Sequence, residues 1–502
     1  MLAASPPQNR VALYLAAVFG FAALMGVATV AGSSVNQRGL YLCALFAACA
    51  SPILYVDRLN GPYTMLCAFL AVYFVTFGAQ DLLSMLVSVP ASGATAVVSL
   101  AEIAIVVAVV LIIAGYRAAV ASVSGRGSVA HVKDWSMTTL VVAGFGVWSL
   151  GVISTWIWQI EVLKRAWDPI HGLGPYATMM LIAGRMIHPL GLGLLAYGFV
   201  TSRNRLFGML MLGIVIAEFI LGFIEDSKEI AIQGAVVLLV AKYLIEGRIP
   251  KLWLAVAATV AIISFPVFQA YRTDVLLERG VSRSNAAESL GKNLDIALHS
   301  NAARTGEVEY GSLSFLSRIS YKGIIETVID RTGNVAPYQN GYTIGLFFSG
   351  FVPRLFWPDK PDLSVGQLFN RQLHITESGE NYVSTTMLGD IYWNFGWLGI
   401  LFGSALFGYF IGTINRRCDL SECRSVTRFL IFSVSTYSFC LRFEDSIAMG
   451  FTVWVRTIAA VAVLHLLFAR PMKANTAPAE PLGPLPNRID SDGVIPFPNL
   501  MR

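Results

Sequence analysis

The chain has 502 residues, of which 55% are hydrophobic and only 13% charged, and its mean hydropathy is +0.63. That balance excludes a water-soluble globular fold, in which about a quarter of residues are charged. The net charge of +5 carries no basic stripe of the kind that binds nucleic acid.

The apolar residues come in blocks of about 20, the length a helix needs to cross a hydrocarbon core of about 30 Å. Twelve transmembrane helices are predicted, at 11–31, 39–56, 63–79, 96–115, 137–157, 176–201, 206–224, 230–245, 252–270, 385–414, 429–441 and 447–468. The first reads as a retained helix, since its apolar run is too long for a signal-peptide core. Alternate connections carry the basic residues: Arg58; Arg117, Arg126 and Lys133; Arg203 and Arg205; Arg248 and Lys251; Arg416, Arg417, Arg424 and Arg428. Lys and Arg resist translocation, so these loops and both termini are expected in the cytoplasm. The Pro-rich tail, 471–502, has too little apolar content to fold alone.

The same alternation puts residues 271–384 outside the cytoplasm, as one large insertion between helices 9 and 10. The expected architecture is therefore an all-α polytopic membrane protein. Helices 1–9 occupy 1–270, a periplasmic, partly helical insertion occupies 271–384, and helices 10–12 occupy 385–470. The insertion contains no cysteine, so no disulfide framework is available to it. Leu313, Phe315, Leu316, Ile319, Ile324, Ile325, Val328 and Ile329 form an amphipathic helical pattern, with Arg318, Lys322, Glu326 and Arg331 on other faces. The apolar stretch 342–352 is too short to span and is expected to be interfacial or re-entrant. Cys418 and Cys423 lack the further ligands a zinc site needs, and no metal is expected.

Two runs carry candidate chemistry. In "FVPRLFWPDKP" prolines stiffen the backbone around Arg354 and Lys360, and in "LGDIYWNFGWLGILFG" Asp390 and Asn394 enter an apolar block together. On these runs, the lead-in "SRISYKGIIETVIDR" and the hairpin "EDSKE", the C-terminal half resembles the Wzy-type O-antigen polymerases, the oligosaccharide repeat-unit polymerases of bacteria. The first six helices match only in hydropathy.

The resemblance implies a GT-C-like glycosyltransferase of the bacterial inner membrane. It would join undecaprenyl-diphosphate-linked repeat units on the periplasmic face, with no nucleotide sugar, cofactor or metal. A chain-length regulator and a flippase are implied partners. Such chemistry needs cations to neutralise a departing diphosphate: Arg354, Lys360, Lys228, Arg272 and Arg442 are the candidates. Related chains often have Ser-Arg where this one has Ser227 and Lys228. A base must also take the proton of the attacking sugar hydroxyl, and Asp390 ranks first, His374 second, followed by Glu377, Glu444 and Asp445.

Each residue also has a plainer reading. Arg354 and Lys360 can snorkel to headgroups, Asp390 and Asn394 can satisfy a buried contact between helices, and Lys228 and Arg272 can anchor helix ends. His188 reads as a helix-packing histidine, and Arg185 and Glu218 as an intramembrane pair or cavity-facing groups. An O-antigen ligase would look much the same. A flippase or transporter would be expected to show internal repeats, which are not seen, and a membrane scaffold would leave the two polar runs unexplained.

Overall fold

The computed structural model describes residues 7–31, 37–56, 63–86, 98–122, 133–164, 175–202, 204–224, 228–246, 251–255, 320–352, 356–357, 359–361, 363, 365–375, 385–418, 425–442 and 444–471. The predicted ninth helix beyond 255, the insertion before 320 and the tail after 471 lie outside them.

Long helices dominate: α1 (Pro7–Ala31), α2 (Gln37–Ala50), α3 (Thr64–Leu86), α4 (Leu100–Ser122), α5 (Met137–Lys164), α6 (Pro175–Ser202), α7 (Arg205–Ile224) and α8 (Lys228–Glu246). Three short helices follow in the insertion, α9 (Lys322–Arg331), α10 (Tyr342–Ser349) and α11 (Gly366–Gln372). The last group is α12 (Met387–Leu398), α13 (Ser404–Arg417), α14 (Val426–Thr436) and α15 (Ile447–Phe468). Among the described residues, seven helices are long and apolar enough to cross a membrane, and three shorter apolar ones accompany them. The protein is an all-α membrane protein.

The predicted tenth helix, 385–414, is not continuous. A π-helical segment, Gly399–Gly403, joins α12 to α13, and a second, Tyr437–Leu441, extends α14. Gly396 has φ 59° and ψ −142°, which breaks the helical ladder inside α12.

Tertiary contacts fix which ends lie together. Lys322 of α9 meets Asp81 near the end of α3 and Glu102 near the start of α4, and its ammonium lies over the Tyr41 ring at the start of α2. Glu444, between α14 and α15, meets Tyr321 just before α9. This end of the bundle, where the insertion docks, is the insertion end. At the other end a two-residue strand, β1 (Lys133–Asp134), pairs antiparallel with β2 (Arg470–Pro471).

Helices α5 and α6 run antiparallel along a seam of glycines. A Cβ on Gly191 would lie 2.4 Å from the Trp148 backbone nitrogen, and one on Gly151 would lie 2.5 Å from the His188 Cβ. Small residues allow this backbone approach, and dispersion then holds the pair where lipid offers no hydrophobic drive. His188 thus does pack between helices, and Glu218 of α7 takes His188 and Trp148 as partners.

Candidate functional site

Within the bundle lies a groove of about 950 Å³. Aromatic rings of α3 and α13 line it, among them Phe69, Tyr73 and Phe407, and Asn340, Thr386 and Asn394 add polar side chains to the lining. The wall follows from the glycines of the "NFGWLGILFG" run. A Cβ on Gly399 would come 2.5 Å from the Ile391 carbonyl oxygen, so the chain can close into the π-helical segment only without a side chain there. Such segments recur where a helix must be reshaped around a function.

The break at Gly396 leaves carbonyls at the end of α12 without helical donors. The insertion supplies them: Gln339 N–H donates to the Trp393 carbonyl (2.9 Å), and Asn340 N–H donates to the Asn394 carbonyl (3.2 Å). The Asn394 side chain completes the zipper, its Oδ1 accepting from Gly341 N–H (2.9 Å).

Asp390, fully buried, anchors this junction. Its Oδ1 accepts from the Thr343 hydroxyl (2.6 Å) and from Asn394 Nδ2 (3.1 Å), and its Oδ2 accepts from the Ile447 N–H that opens α15 (2.9 Å). One carboxylate therefore ties α10, α12 and α15 together, with both oxygens engaged, just behind the groove wall.

Beside it, α10 lies along the first turns of α15. Phe347 packs edge-on against Phe451, and Arg456, over two turns into α15, donates to the Gly350 carbonyl at the end of α10. Lys360 closes the same helix end, donating to the carbonyls of Val352 (2.8 Å) and Ser349 (3.4 Å). Cations suit that position, since the last carbonyls of a helix present partial negative charge. The stretch 342–352 thus forms a short helix against a spanning one.

A second polar cluster lies at the insertion end. Lys322 donates to Asp81 (2.7 Å) and Glu102 (2.5 Å), so it belongs to the inward face of α9 with Ile325 and Val328, not to an outer face. Burial works against its charge, but the two carboxylates outweigh burial and raise its pKa above the ordinary 10.5. Glu102 also forms a capping box at the start of α4: Ser99 N–H donates to its carboxylate (3.1 Å) and its own N–H donates to Ser99 Oγ (3.2 Å). Nearby, the Tyr321 phenol donates to Glu444, and burial with that carboxylate holds the phenol well above its ordinary 10.0, hence protonated. Arg442 pairs with Asp445 (3.2 Å) and lies over the Tyr437 ring. Thr386, whose N–H donates to the Glu444 carbonyl (3.1 Å), links this cluster to the groove lining. Its φ of 58° is rare for a β-branched residue, and such backbone outliers gather at functional sites.

Of the predicted residues, Asp390 lies on α12, whose neighbouring residues Ile391 and Asn394 line the groove, while Lys360 and Arg442 lie outside its lining, at the end of α10 and beside Asp445. His374 is exposed at the end of α11, with φ 49°, and its carbonyl accepts from Arg331 (2.7 Å). Lys228 begins α8, with its side chain outside the described residues; Arg354, Glu377 and Arg272 also fall outside them. No group of three or more metal-ligating side chains occurs among the described residues. Sequence reasoning missed Thr343, Tyr321, Asp81 and Glu102. Only Glu102 had a local signal, the S-x-x-E pattern at Ser99.

Fold and site together define a helical membrane protein with a largely apolar groove and, at the insertion end, a separate cluster of charged side chains. Compared with family models, with curated proteins and with solved structures, the chain gives no significant match to any of them.

Proposed function

We propose that the protein polymerises undecaprenyl-diphosphate-linked oligosaccharide repeat units at the outer face of the bacterial inner membrane. The observation that carries the reading is the groove, about 950 Å³ in volume, largely apolar with Asn340, Thr386 and Asn394 among its lining. That is the shape required by a substrate with an isoprenoid tail and a sugar diphosphate head.

In this reading the tail lies against Phe69, Tyr73 and Phe407, and the head meets the charged cluster at the insertion end, the rim of this reading. Arg442 and Lys360, with Arg354 of the same loop, neutralise the diphosphate as it departs. The acceptor sugar hydroxyl attacks the anomeric carbon of the donor glycan. The bond from that carbon to the phosphate oxygen breaks, and undecaprenyl diphosphate leaves with the electron pair. Glu444 is the favoured base, because Asp390 has both oxygens occupied by structural donors, whereas Glu444 adjoins Thr386 of the groove lining through its backbone carbonyl. The Tyr321 hydroxyl orients it.

The test is a strain lacking the protein, with surface and lipid-linked glycans resolved on a gel. Polymerase activity leaves only single repeat units on the surface. Long lipid-linked chains without attachment would point instead to a ligase, and units retained inside to a flippase. Arg354→Ala and Glu444→Gln should each reproduce the single-unit pattern while the protein still inserts; normal chain lengths in both would overturn the assignment of the rim.

A further inference from the structure

Away from the groove, three helices bring polar side chains to a single point. Glu218 of α7 is wholly buried. Its Oε1 accepts from the Trp148 indole N–H of α5 (2.7 Å) and lies 2.8 Å from His188 Nε2 of α6. Its other oxygen, Oε2, is buried with no hydrogen-bond partner among the described residues. The site is closely fitted: Gly151 faces the His188 Cβ, and a Cβ on Gly234 of α8 would come 3.3 Å from Glu218 Cγ. Glu218 lies about 9 Å along α7 from Ile224, at 1.5 Å per residue, well inside a span. A carboxylate there, half of it without a donor, is costly unless its charge is cancelled.

The only ionisable partner within reach among the described side chains is an imidazole. With no proton between them, Glu218 and His188 bear one net negative charge; with two, one net positive charge. Only a single proton makes the pair neutral, whichever atom holds it. Among the described side chains, the other charges on the surrounding helices are engaged or stand at helix ends. Lys242 of α8 lies over Trp253, Arg456 of α15 meets Gly350, and His465 meets Thr427 of α14. Arg205 and Glu246 stand at helix ends, and Arg185, one turn before His188, has its side chain outside the described residues.

We propose that Glu218 and His188 form a proton-binding site within the helix bundle, holding one exchangeable proton between them, with Trp148 fixing the carboxylate. The site is separate from the groove and does not depend on the function proposed for it.

The experiment is thermal and chemical unfolding of the purified protein in lipid nanodiscs between about pH 5 and pH 8, with free Glu near 4.3 and free His near 6.5. The unfolded wild type loses the His proton above about pH 6.5 while the folded pair is expected to keep its own, so stability falls above that pH, approaching tenfold in the unfolding constant per pH unit. In Glu218→Gln the buried imidazole stays neutral, so stability falls on the other side, as pH drops below about 6.5. In His188→Gln the carboxyl keeps the proton by itself, and stability falls with rising pH across the whole range. The double variant has no charge to place and lacks both slopes. Should the single variants fail to fold, the wild type against the double variant still decides: the ratio of their unfolding constants drifts above about pH 6.5 if the proton is bound. Trp148→Phe should lower stability but keep the wild-type slope. Differences that are the same at every pH, in the single variants or in the double, would overturn the proposal and leave a fixed tie between helices.

Discussion

The α5–α6 seam and the insertion end solve the same packing problem with opposite means. Along the seam, glycines let two backbones touch, and the polar groups His188 and Trp148 turn to one carboxylate, Glu218 of α7. At the insertion end, Asp390, Asn394, Thr343, Lys322 and Glu102 join helices through buried hydrogen bonds, around backbone that Gly396 and the π-helical segment have made irregular. The first arrangement is tight and closed. The second leaves a groove, because each polar junction must satisfy its donors in directions that regular helix packing does not provide. Polar networks of this kind are stable only when complete.

Breaking the polar end should therefore cost most. Asp390→Ala strands three buried donors at about 1–3 kcal/mol each, for a loss of about 3–5 kcal/mol after relaxation, read as the unfolding midpoint in nanodiscs. Lys322→Ala leaves Asp81 and Glu102 facing each other unneutralised, at about 2–4 kcal/mol given the partial exposure of the triad. Limited proteolysis of the insertion should report it first. Because the folded pKa of Lys322 is raised, its contribution is full below 10.5 and fades as the pH climbs through the raised value. The difference between wild type and variant should then be flat at neutral pH and close only in strong alkali.

On the seam, Gly191→Ala drives a methyl against the Trp148 backbone and should cost about 1–3 kcal/mol, without touching the insertion's protease resistance. The smallest effect is expected from Glu326→Gln. Burial, aided by Glu102, Asp81 and Asp330 against the pull of Lys322, raises the Glu326 pKa above its ordinary 4.5. The charged form is thus disfavoured in the fold, and the glutamine variant should be slightly more stable at neutral pH, the gain vanishing as pH falls toward 4.5. A Gly191→Ala loss larger than that of Asp390→Ala would reverse the comparison.

The long apolar helices were legible because hydrophobic length is a local property. So was the entry of Asp390 and Asn394 into an apolar block, and the short apolar stretch that became α10. What could not be read was who meets whom. Thr343 and Asp390, or Lys322 and Asp81, are far apart in the chain and meet only because helix order brings their ends together. Glu218 stood out as an intramembrane acid, but its neighbours His188 and Trp148 come from two other helices. The π-helical segment was invisible for another reason: glycines in a membrane helix commonly mark close packing, and only the clash with the Ile391 carbonyl shows that Gly399 serves a change of winding instead.

That change of winding divides the stretch Met387–Arg417, 31 residues in all. From Gly399 onward the chain covers about 28 Å at 1.5 Å per residue, enough by itself to fill a hydrocarbon core of about 30 Å. The turns from Met387 to Leu398 would then stand at headgroup level, and Asp390 with them. A carrier-bound sugar would need neither to be lifted from the bilayer nor drawn into it: the protein would raise its own polar floor to the depth at which such a molecule already floats.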